Sequence, residues 1–359
     1  FSLLFEKIPS SNKVFIDLEN PFDQRIFEEK DYNKILSNLT EHGLNPQNKM
    51  YIFLDEVQAK PEIMRCIKYL YDHHMIKFFL ISSNSFYTKN LSPGNLAGRK
   101  FTFELFPLIF EEFLIFKDQV GKFGTSLDQR NRSKNSLFFE RTKKLYAEYL
   151  KFGGFPEVVL AKKREEKISR LKDILKSYFE KDVKALAAFS KISLFRDLVL
   201  LLAQRSGQRL DITKISSEIG VSRMTVYSYL SFLKETYFIR LVSPFSNDVN
   251  REISGTKKVY FCDHGMANHC ARVDEEQLFK NCVFNNLRKF GKVNYYQRRS
   301  GEEIDFVLNE RIGVEVKMRG LESNLRKLNN ICKEIGLNES YLISNEYIEK
   351  ENFIPATNI

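Results

Sequence analysis

The stretch at residues 50–56 constrains the fold of this chain more than any other. Residues 50–54 read MYIFL, and two adjacent carboxylates, Asp55 and Glu56, follow directly. An apolar run of this length is typical of a strand buried on both faces of a parallel sheet. Ligands of open α/β sheets bind beyond the carboxyl ends of the strands, so we expect both acids at a ligand-binding edge. The alternative is a strand that ends in a solvated turn.

The segments around this strand complete the pattern of a parallel sheet. Apolar runs at residues 14–18 and 76–82 alternate with helical patterns at residues 29–39 and after Pro61, which indicates α/β architecture. Asp55 would hold Mg²⁺ and Glu56 would polarise an attacking water, as in nucleotide hydrolases. Ser83 and Asn84 follow the third strand, where such enzymes contact the γ-phosphate or its water.

Arg99 follows Gly98 on a turn, and an arginine there would stabilise charge on a transferring phosphoryl group. The simpler interpretation is a surface arginine on a loop. Further along, residues 118–135 are polar and predict a loop, and residues 136–152 predict an amphipathic helix that ends at Gly153. The charge run at residues 162–167 predicts a solvated helix face.

The formal net charge is +10, which favours an acidic partner, and duplex DNA is the first candidate. A lysine-rich composition of the whole proteome is the alternative explanation. No apolar run reaches the length of a membrane span, so we expect none. The five cysteines are scattered and odd in number, which predicts a reducing cytoplasm better than a disulfide framework.

Residues 211–235 carry the pattern of a helix-turn-helix. A helical stretch at 211–219, the turn Gly220-Val221-Ser222 and a second helix at 223–235 follow each other, and residues 238–242 predict a strand of a wing. If the module binds DNA, the start of the second helix faces the major groove. The residues nominated for this contact are Arg223, Met224, Thr225, Ser228 and Tyr229. The alternative is a winged helix that binds protein.

Residues 304–317 place three charged side chains in otherwise apolar strands. Asp305 interrupts one predicted strand, and Glu315 and Lys317 interrupt the next. An Asp followed by Glu-x-Lys resembles the PD-(D/E)xK nuclease core. Alternate strand residues share a face, so Glu315 and Lys317 can converge. The resemblance implies Mg²⁺ on Asp305 and Glu315, with Lys317 orienting water. The alternative is a solvated hairpin.

The ordered set of motifs along the whole chain resembles a prokaryotic AAA-type ATP-binding family. The motifs are FLDEVQ at residues 53–58, SSNS at 82–85, LAGR at 96–99, FELFPL at 103–108, EEFL at 111–114, GGFPE at 153–157, YFEKD at 178–182 and YFCDHG at 260–265. The resemblance implies binding of ATP and Mg²⁺. It also implies glutamate where this chain has Lys280 and Asn286, so nuclease cleavage is not expected.

The family's phosphate-cradling G-x-x-x-x-G-K-[ST] loop is not found in this sequence. Gly121-Lys122 has no following Ser or Thr and no preceding strand, so it does not qualify. Without the amides and lysine of the loop, affinity for phosphate should be poor. Residues 1–7 read as the tail of a helix, and we expect an N-terminal truncation; loss of ATP binding is the alternative.

These observations predict a multidomain α/β protein with four parts. They are a P-loop NTPase-like core lacking its phosphate loop (1–116), a helical middle (117–206), a winged helix (207–246) and a restriction-endonuclease-like domain (247–359). The first hypothesis is a DNA-associated ATPase in which Arg99 acts within the chain or across a homo-oligomer. The second is a DNA- or protein-binding module with a vestigial ATPase, and the third is a Mg²⁺-dependent DNA nuclease.

Overall fold

The computed structural model describes residues 1–82, 98–119, 121–183, 192–246, 248, 252, 254–298 and 300–359. The chain divides into two compact units. The first comprises Phe1–Glu104 with Glu235–Tyr237, and the second comprises Leu105–Lys234 with Phe238–Ile359. The predicted division into four domains is finer than this and stays a prediction. No helix in the described ranges combines the length and the apolar character that crossing a membrane requires.

The first unit is built on a parallel sheet of three strands in the order β1-β2-β3. Its strands are β1 (Lys13–Asp17), β2 (Met50–Asp55) and β3 (Ile76–Leu80). Its helices are α1 (Ser2–Lys7), α2 (Pro21–Gln24), α3 (Tyr32–Glu41) and α4 (Ile63–His73). Asn20 and Asp31 cap α2 and α3 by accepting from backbone N–H groups two residues on. The predicted parallel α/β sheet is present.

The two faces of this sheet are covered differently. Ile52 and Leu54 of β2 point to one face, where α3 and α4 pack and both side chains are fully buried. Burying each such side chain contributes about 1.5–3 kcal/mol. Phe53 points to the other face, where its ring stacks on Phe79 at 4.3 Å and meets Phe5 of α1 at 5.1 Å. The apolar run is therefore buried on both sides, as its composition indicates.

The second unit begins with a helical region. Its helices are α5 (Phe110–Phe116), α6 (Leu127–Arg132), α7 (Ser136–Phe152), α8 (Pro156–Leu160), α9 (Arg164–Ser177), a π-helical turn (Tyr178–Val183) and α10 (Ile192–Gln204). Two expectations were wrong here. The predicted loop at 118–135 contains α6, which Ser126 caps by accepting from the amide of Gln129. Lys167 of the supposedly solvated charge run is buried, because its ammonium binds the carbonyl of Val158 and the carboxylate of Glu148.

The helix-turn-helix elements form where the pattern predicts them. They are α11 (Ile212–Ile219) and α12 (Arg223–Glu235). Gly220 between them has φ +69°, a left-handed conformation that suits glycine. Ser222 caps α12 by accepting from the amide of Thr225 at 3.1 Å. An antiparallel pair follows, β4 (Ile239–Val242) with β5 (Lys258–Phe261).

The C-terminal part of the second unit is a mixed sheet of five strands in the order β10-β9-β8-β7-β6. Its elements are α13 (His264–Cys270), α14 (Glu275–Leu287), β6 (Val293–Gln297), β7 (Glu303–Leu308), β8 (Ile312–Lys317), α15 (Glu322–Glu334), β9 (Glu339–Ser344) and β10 (Phe353–Pro355). β6, β7 and β8 are antiparallel neighbours, whereas β9 runs parallel to β8. The crossover between β8 and β9 is α15, as parallel pairing requires.

Two of the motifs that carry the family resemblance meet in the interior of the second unit. The carboxylate of Asp263 accepts from the amides of Gly154 and Met266, both at 2.7 Å. A Cβ at Gly153 would lie 2.1 Å from Asp263 Oδ1, and a Cβ at Gly265 would lie 2.1 Å from the backbone of α7. The glycines of both motifs are therefore required for close backbone approach, which is a structural role.

Candidate functional sites

Asp55 lies at the carboxyl edge of the central strand of the first unit. The register pairs it with Asp17 of β1, so the two aspartates lie side by side on the same face of the sheet. Asp17 Oδ1 accepts from the amide of Glu19, and Asp55 Oδ1 accepts from the amide of Glu56, both at 2.9 Å. Each carboxylate keeps lone pairs for a further ligand. Among the described residues, no lysine or arginine lies at ion-pair distance from Asp55.

Glu56 has a backbone conformation that non-glycine residues seldom adopt. Its φ and ψ are 50° and 47°, in the left-handed region, which costs about 1–2 kcal/mol for a residue with a Cβ. The Nε2 atom of Gln58 donates to the Glu56 carboxylate. The left-handed conformation turns the chain sharply at the end of β2. The Glu56 side chain is half-buried beside Asp55.

The other residues predicted for this site have different outcomes. Ser83 and Asn84 lie outside the described residues. Arg99 forms an ion pair with Asp72 of α4 at 2.8 Å. Because α4 returns from the carboxyl end of β2 to the amino end of β3, Asp72 lies at the edge of the sheet opposite Asp55. In this structure Arg99 therefore pairs with Asp72 and does not contact Asp55, and its role as a finger stays a prediction.

Asp305 lies on β7 in the interior of the second unit and is already neutralised. Its side chain is 1% exposed; Oδ2 accepts from the amide of Val316 at 2.9 Å, and Oδ1 lies 2.8 Å from the ammonium of Lys280. Burial opposes the charged form of Lys280, but the charge of Asp305 outweighs it and raises the pKa of the lysine. The ammonium of Lys280 therefore supplies the positive charge beside Asp305.

Glu315 and Lys317 converge as the strand periodicity predicts. They extend from β8, and Lys317 Nζ lies 3.0 Å from Glu315 Oε1. Burial, followed by the nearby charge of Asp305, raises the pKa of Glu315 to about 7, against the lowering effect of Lys317. Within the part of the chain that the structure describes, no group of three or more His, Cys, Asp or Glu side chains is arranged to hold a metal ion. The same holds for the edge at Asp55, so this absence does not separate the two sites. The roles of Asp305 and Glu315 as metal ligands stay predictions, against which the ion pair of Lys280 with Asp305 argues.

The nominated residues of α12 divide between its two faces. Arg223, Met224 and Ser228 are exposed, and Met224 is 73% exposed. Tyr229 was wrongly expected at the surface: it is buried, because it continues the inward stripe of Val226 and packs edge-on against Phe195 at 5.1 Å.

The hydroxyls nominated on this helix both make local bonds. Thr225 is half-buried with its hydroxyl 2.9 Å from that of Ser222, and the Ser228 hydroxyl donates to the carbonyl of Met224 at 3.1 Å. Among the nominated residues, Arg223 is the charged one.

Two residues of interest were not singled out from the sequence. Asp17 ends β1 as Asp55 ends β2, and an aspartate at the same position of a neighbouring apolar strand is a signal that the sequence does carry. Tyr227 is 55% exposed on α12, and the helical period places it beside Met224, three residues earlier. A count along the helix from Val226 would have assigned Tyr227 to the surface and Tyr229 to the core.

Three family models match consecutive parts of the chain. Residues 1–114 match an AAA domain, residues 143–277 match a domain of unknown function (DUF8612), and residues 275–357 match another (DUF4143). With the parallel sheet and its terminal acids, these matches support an AAA-type protein.

The similar proteins are themselves uncharacterized. One from Methanocaldococcus jannaschii is 28% identical over 76% of this chain and 62% of its own length. Another, from Haemophilus influenzae, is 24% identical over 96% of this chain and 83% of its own length. The Aeropyrum pernix ORC1 protein, solved in complex with DNA, aligns over 72% of this chain and 77% of its own, with 14% identity and a TM-score of 0.30. A score that low supports no conclusion about this chain.

Proposed function

We propose that this chain acts as an AAA-type ATPase in which Asp55 and Glu56 are the Mg²⁺-binding and water-activating side chains. The observation that carries the proposal is the register of the parallel sheet, which pairs Asp17 with Asp55 at the carboxyl edge. Mg²⁺ in such sites takes one or two carboxylates, and substrate phosphates and waters complete its shell. Two adjacent aspartates without a lysine or arginine partner among the described residues fit that requirement.

The bound nucleotide would supply the phosphoryl group, and the chain's own residues would position the ion and the water. Asp55, with Asp17 beside it, would hold the ion. Glu56 would accept a proton from the attacking water, and Gln58 would orient the Glu56 carboxylate through its amide. Arg99 would serve a neighbouring protomer, because within its own chain it lies at the opposite edge. Ser83 and Asn84 keep their proposed contact with the γ-phosphate.

The test has a genetic and a kinetic part. The codons upstream of Phe1 are read for the G-x-x-x-x-G-K-[ST] loop, and ATP hydrolysis by the product of the full reading frame is measured. We expect Glu56→Gln to lower kcat about 100-fold while nucleotide binding is retained. Glu62→Gln, at a side chain that is 70% exposed, is the matched control and should leave kcat unchanged. An intact reading frame without the loop, or equal rates for Glu56→Gln and wild type, contradicts the proposal.

A second function, binding of duplex DNA by α12, is supported by the exposed face of that helix. Arg223 lies at its first turn, and Met224, Tyr227 and Ser228 extend the same surface. We propose that Arg223 contacts a guanine edge or a phosphate. Thr225 and Ser228 would supply hydroxyls after releasing their local partners. A winged helix that binds protein instead remains the alternative.

The test of DNA binding is a salt titration with a short duplex. We expect the affinity to fall as salt increases, and Arg223→Ala to weaken it by about 1–3 kcal/mol. Lys234→Ala, at the far end of the same helix, is the control. Equal affinity of Arg223→Ala and wild type would rule out this surface.

We also propose that residues 247–359 have a nuclease-like fold that does not cleave. The order α14, β6, β7, β8, α15, β9 supports the fold, and the ion pair of Lys280 with Asp305 argues against a metal site. Mg²⁺-dependent nicking of plasmid DNA should therefore be absent from the wild type. Nicking that Lys317→Ala abolishes would reverse this conclusion.

A further inference from the structure

The second unit contains a pocket of about 300 Å³ whose lining includes none of the residues proposed for the ATP site or for DNA contact on α12. It lies where the segment before α11 meets α14 and the hairpin of β6 and β7. Its lining contains three cations, three glutamine amides and one carboxylate. The cations are Arg209, Lys258 and Lys280, the amides are those of Gln208, Gln277 and Gln297, and the carboxylate is that of Glu303.

The three cations differ in how their charge is balanced. Lys258 lies 3.3 Å from the carboxylate of Glu303, and Lys280 is paired with Asp305. Arg209 is exposed and has no carboxylate at ion-pair distance among the described residues. Its Nη1 atom donates to Gln297 Oε1 at 3.0 Å. A guanidinium carries five N–H donors in a planar fork, so Arg209 retains donors for an anion at the mouth of the pocket.

Gln277 gives a second, independent indication of a ligand. Its Oε1 atom is buried and has no hydrogen-bond partner among the described residues. An acceptor left unsatisfied in this way costs about 1–3 kcal/mol. A ligand with a hydroxyl or amino donor would satisfy it, and Gln277 lines the same pocket as Arg209. The pocket therefore offers a cationic fork for an anion and an acceptor for a neighbouring donor group.

We propose that this pocket binds a phosphate ester of a nucleoside. The fork of Arg209 would take two phosphate oxygens, the geometry in which arginine binds phosphate best. The Oε1 atom of Gln277 would accept from a hydroxyl or base amino group of the same ligand. The volume suits one nucleotide unit rather than a larger molecule. The ester belongs either to a free nucleotide or to the backbone of a nucleic acid, since both present the same group.

The inference rests on neither the ATP site nor the helix α12, because it uses none of their residues. Its test is calorimetric titration of the whole chain with inorganic phosphate, thymidine 5′-monophosphate and a short DNA duplex. We expect at least one of the two esters to bind the wild type, and Arg209→Gln to weaken that binding about tenfold. Gln277→Leu should weaken binding of the ester without affecting binding of inorganic phosphate. The control is Arg326→Gln, at a side chain that is 77% exposed on α15.

The pattern across the probes identifies the source of the ester. Binding of the monophosphate supports a free nucleotide. Binding of the duplex alone supports a nucleic-acid backbone, and Arg209→Gln should then reduce the slope of log affinity against log salt by about 0.9. If the wild type binds only inorganic phosphate, or binds none of the probes, the proposal of a nucleoside phosphate ester is overturned. If Arg209→Gln binds the probe with wild-type affinity and melts at the wild-type temperature, the probe binds outside this pocket and the proposal is overturned.

Discussion

Asp55 in the first unit and Asp305 in the second both stand in apolar strands, and both were predicted to bind Mg²⁺. Asp305 is 1% exposed and has Lys280 at 2.8 Å. Asp55 is half-buried at a strand end, with Asp17 beside it and no cation among the described residues at ion-pair distance. A buried carboxylate needs a cation in the native fold, whereas a carboxylate at an open edge is solvated and stays available to bind a ligand. The difference between the two sites is therefore whether the chain supplies its own cation.

The largest expected effect follows from removing that cation. Lys280→Met leaves the charge of Asp305 buried without a partner and should lower the free energy of unfolding by about 3 kcal/mol, measured by urea denaturation. Combining it with Asp305→Asn should recover most of the loss. Lys327→Met, at an exposed position of α15, is the control. A loss below about 1 kcal/mol would mean that Asp305 is hydrated, and the contrast with Asp55 would fail.

His264 is a buried ionisable residue of the second unit. Its imidazole stays neutral, whereas Asp305 forms an ion pair with Lys280. Its Nε2 donates to the carbonyl of Tyr149 at 2.8 Å, and burial lowers its pKa from 6.5 to about 4. Because the folded-state pKa is depressed, the stabilisation is present above pH 6.5 and is lost as the pH falls towards 4. Wild type should lose about 2 kcal/mol relative to His264→Gln between pH 7 and pH 5.

The measurement is denaturation of both chains in matched buffers. Subtracting the variant removes contributions from groups common to both chains, including Asp263. A difference that does not change with pH would show that His264 is already open to water in the native state.

A smaller effect tests whether the face around Asp305 can be converted into a metal site. Lys280→Glu replaces the internal cation with a carboxylate, the residue type that the resembling family has at this position. Mg²⁺ at about ten times its dissociation constant should then stabilise the variant by about 1.4 kcal/mol, whereas the wild type should not respond. Ca²⁺ serves as the comparison ion. The same response in wild type would show that Lys280 does not exclude the metal.

Much of this fold could be predicted because its signals are local. The helix Ser136–Phe152 begins after the cap Asn135 and ends at Gly153, and both residues are adjacent to the boundaries that they define. The pairing of Lys280 with Asp305 joins residues far apart in sequence through the packing of α14 on β7. The position of Arg99 follows from the direction of α4, and the sequence around Arg99 does not encode it. Side-chain pairs across elements were therefore missed more often than the elements themselves, although the helix α6 was missed as well.

The smallest expected effect returns to the open edge of the first unit. Glu56 holds a left-handed conformation with φ 50°, and glycine adopts it without the Cβ penalty. Glu56→Gly should therefore stabilise the first unit by about 0.5–1 kcal/mol, which hydrogen exchange of the β2 and β3 amides would detect. The same change removes the proposed acceptor of the water proton. Glu56→Ala is the matched control, since it also loses the carboxylate but keeps the strain. If the glycine variant is no more stable than the alanine variant, the left-handed conformation of Glu56 is not strained. Strain at Glu56 would then no longer support a functional role for the edge at Asp55.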